Sequence, residues 1–185
     1  MVALSLIRSV LHESSELDAA RPAALATVLP HQRAQDDLLP PIYVTETDYE
    51  RLRGLADRRG GRGTPVTRFL AAELDRAHVC APEAIPGDAV TMGSQVVFRI
   101  STAEEERATV LAYPLPYLPS REHLSILTPL GVALLGLRPA CRMPFMSPEG
   151  IPGIVQVEQV PFQPEAWQRG DGPATGAPVP ALEPG

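Results

Sequence analysis

Apolar positions recur along this chain first at helical and later at strand-like intervals. Near the start, Leu4, Ile7, Leu11 and, less regularly, Leu17 fall at near-helical spacing and predict a short amphipathic helix. From Arg21 to Pro41 the composition shifts to alanine, proline and polar residues and ends in Pro40–Pro41, the pattern of a linker. Ile42–Tyr43–Val44 predicts a short strand. Thr45 or Thr47 can then cap a helix carrying Tyr49, Leu52 and Leu55 along one face. Glycines at 60, 61 and 63 stop that helix. A second helix starts with Thr64 as N-cap and Pro65 at its first position. Its apolar stripe is Phe69, Leu70, Leu74 and Ala77, and His78 and Cys80 fall at its end. Two short helices joined by a tight glycine turn predict an antiparallel helical hairpin.

Beyond Pro82 the pattern is that of strands: Ala89–Met92, Gln95–Ile100, Ala108–Tyr113 and Leu124–Leu127 are β-branched or apolar runs separated by turn residues. Glu104–Glu105–Glu106 suits a solvated hairpin turn between two of them. Thr128–Pro129 opens, and Gly136 closes, a short apolar helix. Arg142–Phe145 and Ile154–Val160 predict the last two strands. From Pro164 onward the chain is rich in proline, glycine and alanine and offers little to bury. The predicted organisation is an extension over 1–40, a helical hairpin over 41–81, a β domain over 82–165 and a tail over 166–185.

Composition narrows the function classes. A chain of 185 residues has room for one ordinary domain with appendages or for two small ones. Its 44% hydrophobic content supports a packed core, whereas 21 prolines and 14 glycines exceed what one compact fold uses. The net charge of -6 argues against a grip on a nucleic-acid backbone and favours a protein partner or a small ligand. All 16 cationic side chains are arginine. Cys80 and Cys141 lack C-x-x-C spacing and are expected to be reduced thiols. The first residues lack a basic leader and a cleavage site, and no apolar run approaches the ~18 residues of a membrane span. A soluble cytoplasmic protein is expected.

Candidate chemistry is sparse. His78 and Cys80 are not followed by further ligands at metal spacing, and His123 has no triad context. The chain contains neither a G-x-S-x-G motif nor a phosphate loop. The expectation is a non-enzymatic protein with no cofactor and no metal.

Three blocks in order carry a family resemblance. They are Ala72–Cys80 with Pro86–Ser94, Leu127–Leu137, and Val157–Glu158 with Gln163–Glu165. Across Pro41 to Glu165 the chain resembles the Rnk family, regulators of nucleoside diphosphate kinase, which is similar to the transcription factors GreA and GreB. The resemblance implies an α+β fold: a short antiparallel coiled-coil hairpin, then an FKBP-like twisted antiparallel β-sheet domain with one short helix. It also implies RNA polymerase as partner, with docking at the rim of the secondary channel. Thr128, Pro129 and Leu130 match the loop with which Gre factors help grip polymerase, and an apolar Leu130 there is a candidate anchor.

Gre factors carry carboxylates at the hairpin tip that help hold a magnesium ion. Here the tip is Arg59–Gly60–Gly61–Arg62, without a carboxylate. Each arm has at most about 15 residues, roughly 22 Å, so no stimulation of transcript cleavage is expected. Two other functions stay open: a regulatory scaffold acting on nucleoside diphosphate kinase, and an FKBP-type prolyl isomerase. The second is disfavoured because the β region offers only Phe98, Tyr113, Tyr117, Phe145 and Phe162 as aromatic lining.

Overall fold

The computed structural model describes residues 39–57, 63–101, 103–114 and 122–171. Thr45 ends strand β1 (Tyr43–Thr45) and caps helix α1 (Glu46–Asp57): its Oγ1 accepts a hydrogen bond from the Asp48 N–H at 3.1 Å. Of the two candidate caps, Thr45 therefore fills the role. Helix α2 (Pro65–Asp75) begins as its sequence predicts, with Pro65 in the first turn and the Thr64 side chain accepting from the Thr67 N–H. Leu52 of α1 and Leu70 and Leu74 of α2 are fully buried. Arg53 reaches from α1 to α2, donating to the Asp75 carboxylate and, at 3.4 Å, to the Ala71 carbonyl.

After α2 the chain returns alongside β1. Strand β2 (His78–Cys80) pairs in parallel with β1, Val44 opposite Val79. The helices thus form the crossover of a parallel pair. His78 and Cys80 lie in this strand, not at a helix end, because the Ile42 carbonyl takes the His78 N–H at 2.9 Å and the second helix has already closed at Arg76.

The main sheet has five strands in the order β5-β4-β3-β7-β6: β3 (Gln95–Ile100), β4 (Ala103–Ala112), β5 (His123–Ser125), β6 (Arg142–Met146) and β7 (Pro152–Phe162). All neighbours are antiparallel except β4 and β5. Register shifts in β3 against both β4 and β7 bend the sheet. Helix α3 (Pro129–Leu134) packs on it, burying Val132, Ala133 and Leu134. The core runs from Ile42 and Val44 through the α1–α2 pair to Val96, Leu111, Met143 and Val157.

Three further expectations are corrected. Ala89–Met92 is a buried turn-rich segment, not a ladder strand: the Ala89 N–H bonds back to Pro86 O. Only Val90 pairs, donating to Leu137 O and accepting from Gly136 N–H, both at 2.8 Å. Glu104–Glu106 lies within β4, since the reversal occurs where Ile100 faces Ala103 and Glu106 pairs with Arg99 at 2.5 Å across the ladder. The stretch after Pro164 opens with helix α4 (Pro164–Arg169), whose Ala166 is buried. Arg169 ties it down by donating to Pro82 O at 2.7 Å and Ile85 O at 3.2 Å. The Trp167 indole is 56% exposed and tilted against Phe162. The N-terminal amphipathic pattern, the glycine-rich tip and the rest of the tail lie outside the described residues.

Candidate functional site

The loop entering α3 is fixed by its own backbone. The Thr128 hydroxyl accepts from the Gly131 N–H at 3.1 Å and donates to the Ser125 carbonyl at 2.8 Å. The same carbonyl takes the Thr128 N–H at 3.0 Å. A Cβ on Gly131 would lie 2.3 Å from that oxygen, so only glycine lets the first turn of α3 close onto β5. Proline at the first helical position adds a preset φ. Thr128 and Pro129 are thereby presented in one geometry.

Both residues stand at one end of an apolar groove of about 600 Å³. One wall is α2, through Pro65, Val66, Phe69 and Ala72. The opposite wall is β6 with the turn after it, through Met143–Met146, Ser147 and Pro148. Leu127 continues the loop side, and Leu39 closes an edge where the described chain begins. The volume lies in the range of ligand pockets, and the lining suits aliphatic or aromatic side chains. Leu130 is half-buried against the core and does not line the groove.

The ionised groups of the groove, Glu73 and Arg76, are turned toward each other: Arg76 Nε donates to Glu73 Oε2 at 3.0 Å. Their side chains are 5% and 13% exposed. Arg76 also donates to Pro40 O at 2.7 Å, and its Nη2 lies 3.8 Å from Met143 Sδ. This guanidinium therefore joins α2, β6 and the incoming chain at one point. Separating this pair is costly, because both groups are largely withdrawn from water.

A second polar centre fixes α1 to the sheet. The buried Asp48 carboxylate accepts from the Tyr113 hydroxyl at 2.8 Å and from the Met92 N–H at 3.4 Å. Burial first, then the hydrogen bond to Asp48, pushes the Tyr113 phenol well above its usual range. Among the described residues, no group of three or more His, Cys, Asp or Glu side chains is placed to hold a metal ion. Cys80 and Cys141 are free thiols. No described helix is long and apolar enough to cross a membrane.

Of the residues singled out from sequence, the fold brings Thr128 and Pro129 to the groove. Arg59, Gly60, Gly61 and Arg62 lie outside the described residues. The two long walls were legible as a helix and a strand but not as the sides of a groove, and Phe69, counted with the core stripe, faces the groove. Val66, Phe69 and Ala72 recur every third residue, a second stripe beside the core-facing Leu70 and Leu74. The prolines of the far wall, Pro144 and Pro148, gave no periodic signal.

The family model described as the Rnk N-terminus matches residues 40–79, which covers β1, α1, α2 and most of β2. The "Regulator of nucleoside diphosphate kinase" of Escherichia coli strain K12 is 39% identical over 127 residues, 69% of this chain and 93% of its own length. The protein of the same name from Shigella flexneri matches to the same extent. Among solved structures, a chain described as prokaryotic transcription elongation factor GreA/GreB from Nitrosomonas europaea is 38% identical. It superimposes with a TM-score of 0.54, covering 66% of this chain and 99% of the other. With a relative 39% identical over nearly its whole length and a family model on β1, α1 and α2, this chain belongs to the Rnk family of regulators, within the wider group of Gre-like factors.

Proposed function

We propose that this chain is a transcription regulator that binds RNA polymerase near its secondary channel without stimulating transcript cleavage. Its docking face is the groove mouth at Thr128 and Pro129, with Leu130 packed beneath as support. The α1–α2 unit acts as the short coiled-coil hairpin of a Gre-type factor, and the five-stranded sheet with α3 as its FKBP-like domain. The observation that carries the reading is the loop at the α3 N-terminus: its geometry is fixed from three sides, and it opens onto apolar surface that a protein partner can fill. Such preorganisation lowers the ordering cost of association.

Two features support the absence of cleavage stimulation. The tip sequence Arg59–Gly60–Gly61–Arg62 has no carboxylate for a divalent ion. Helices α1 and α2 have 12 and 11 residues, about 18 Å and 16 Å at the usual rise. A second reading, regulation of nucleoside diphosphate kinase by direct contact, is favoured by the name the Escherichia coli relative carries.

A binding titration against core RNA polymerase, in competition with a Gre factor, tests the proposal. Saturable binding that the Gre factor displaces is expected, and Pro148→Glu on the exposed far rim of the groove weakens it. Stalled elongation complexes treated with the chain show no shortened transcripts. Absence of binding at micromolar concentrations removes polymerase as the direct target and directs the titration to the kinase.

A further inference from the structure

The groove lies where the first 38 residues join the fold. Leu39 lines it, and Arg76, which lies on the same lining, holds the Pro40 carbonyl at 2.7 Å. The chain preceding Leu39 therefore starts at the groove edge. Within it, Leu4, Ile7 and Leu11 fall at i, i+3 and i+7, the spacing by which an amphipathic helix fills an apolar groove. Up to Leu11 that stretch carries a single ionisable side chain, Arg8. The groove's own charges, Glu73 and Arg76, are engaged with each other and with Pro40.

We propose that the segment around Leu4, Ile7 and Leu11 folds back in cis and seats these three side chains in the groove between α2 and β6. Residues 12–38 supply the return path. That number of residues is ample for a site that begins at its own anchor, since even a coil of such length would span roughly 30 Å. Linkage raises the segment's effective concentration to the order of millimolar, so a weak apolar contact suffices to fill the groove. The C-terminal tail is a poorer occupant. It leaves from α4, which is fastened to Pro82 and Ile85, residues that do not line the groove. Resting on the docking face proposed above, the consequence is regulatory: the segment and polymerase compete for the same surface.

Hydrogen–deuterium exchange on the full chain, compared with a Leu4→Asp, Ile7→Asp, Leu11→Asp variant at several protein concentrations, is the test. All three substitutions lie outside the described fold, so exchange in β3 and β7 stays unchanged and reports intact folding. The expected result is faster exchange, by about tenfold for a segment seated nine-tenths of the time, confined to residues 65–76 and 142–150 and independent of concentration. Equal exchange in the two proteins overturns the proposal. Protection of those residues that grows with concentration also overturns it, because a second copy then covers the groove. These outcomes need no polymerase and stand apart from the functional reading. In the polymerase titration the same variant binds about tenfold more tightly if the groove is the docking face. An exchange difference without that gain leaves the cis contact standing and removes the shared docking face.

Discussion

Gly136 and Pro129 flank the same short helix, yet the backbone around the first is closed on every side and the surface around the second is open. At Gly136, φ is +72° and a Cβ would lie 2.7 Å from Ile42 Cβ and Tyr43 N. The residue accepts from the Tyr43 N–H at 3.0 Å and donates to Val90 O at 2.8 Å. Three chain segments thus meet through main-chain groups with no room for a side chain. At Pro129 the neighbours are the apolar walls of the groove. The closed junction holds the α1–α2 unit against the sheet, and the open groove exists only because that placement keeps α2 opposite β6. The proposed docking surface and this closed junction thus lie at opposite ends of α3.

Gly136 is where a single added methyl group should cost the fold most. Gly136→Ala combines a left-handed backbone with a Cβ driven into main chain, and an unfolding cost of about 4 kcal/mol is expected. Denaturant unfolding measures it. A loss under about 1 kcal/mol, the scale of an ordinary surface change or a relaxed left-handed alanine, means the junction yields and does not position the helices.

Asp48 tests the same placement through side chains. Asp48→Ala leaves the Tyr113 hydroxyl and the Met92 N–H without their shared acceptor, and a loss of about 2 to 3 kcal/mol is expected. The pair also sets an alkaline limit. Burial, and then the hydrogen bond to Asp48, raises the Tyr113 pKa in the folded state above the ordinary phenol value of 10.0, so the folded protein holds this proton more tightly than the unfolded chain. That contribution is complete below pH 10 and is lost as pH rises through the folded value. Unfolding curves of the parent chain should weaken above pH 10 more steeply than those of Tyr113→Phe. Equal slopes would show that the phenol is not held by burial and Asp48.

Thr128→Ala stands between the two regions. It removes the α3 cap and the tie to Ser125, with an expected loss of about 1 kcal/mol in denaturant unfolding. Binding should fall further than stability does, because the loop that presents Pro129 loses its fixed geometry.

How far the sequence reached follows the same division. Local signals were sufficient for elements with their own punctuation: Thr64–Pro65 opens α2, Thr128–Pro129 opens α3, and Gln95–Ile100 is β3 end to end. Elements made by distant partners were illegible. β2 is three residues long and exists because β1 offers a parallel edge. Ala89–Met92 has strand composition, but only Val90 finds a backbone partner across the fold, at Gly136–Leu137. Helix α4 hides among prolines and glycines and is held by Arg169 contacts more than eighty positions away in sequence. The groove itself required three elements to be placed together. Only its Thr128–Pro129 end carried a motif, whereas the α2 wall was masked by the adjacent core stripe.

Val66→Glu should separate docking from folding at little cost to the fold. Val66 is half-buried in the first turn of α2, a turn that carries no acidic residue. A carboxylate there gains from the helix dipole by about 0.3 to 1 kcal/mol, which offsets part of the lost apolar contact. The glutamate stem can follow the surface and leave its charge in water. Stability should change by no more than about 0.5 kcal/mol, the range of ordinary surface substitutions. Docking is affected differently, because a partner side chain entering the groove would strip water from an unpaired carboxylate. Polymerase affinity should therefore fall at least tenfold, about 1.4 kcal/mol, while the unfolding midpoint barely moves. A large drop in stability would make the α2 wall part of the core, and unchanged affinity would remove it from the docking face. Either result dissolves the proposed separation between the end of α3 that holds the fold and the end assigned to a partner.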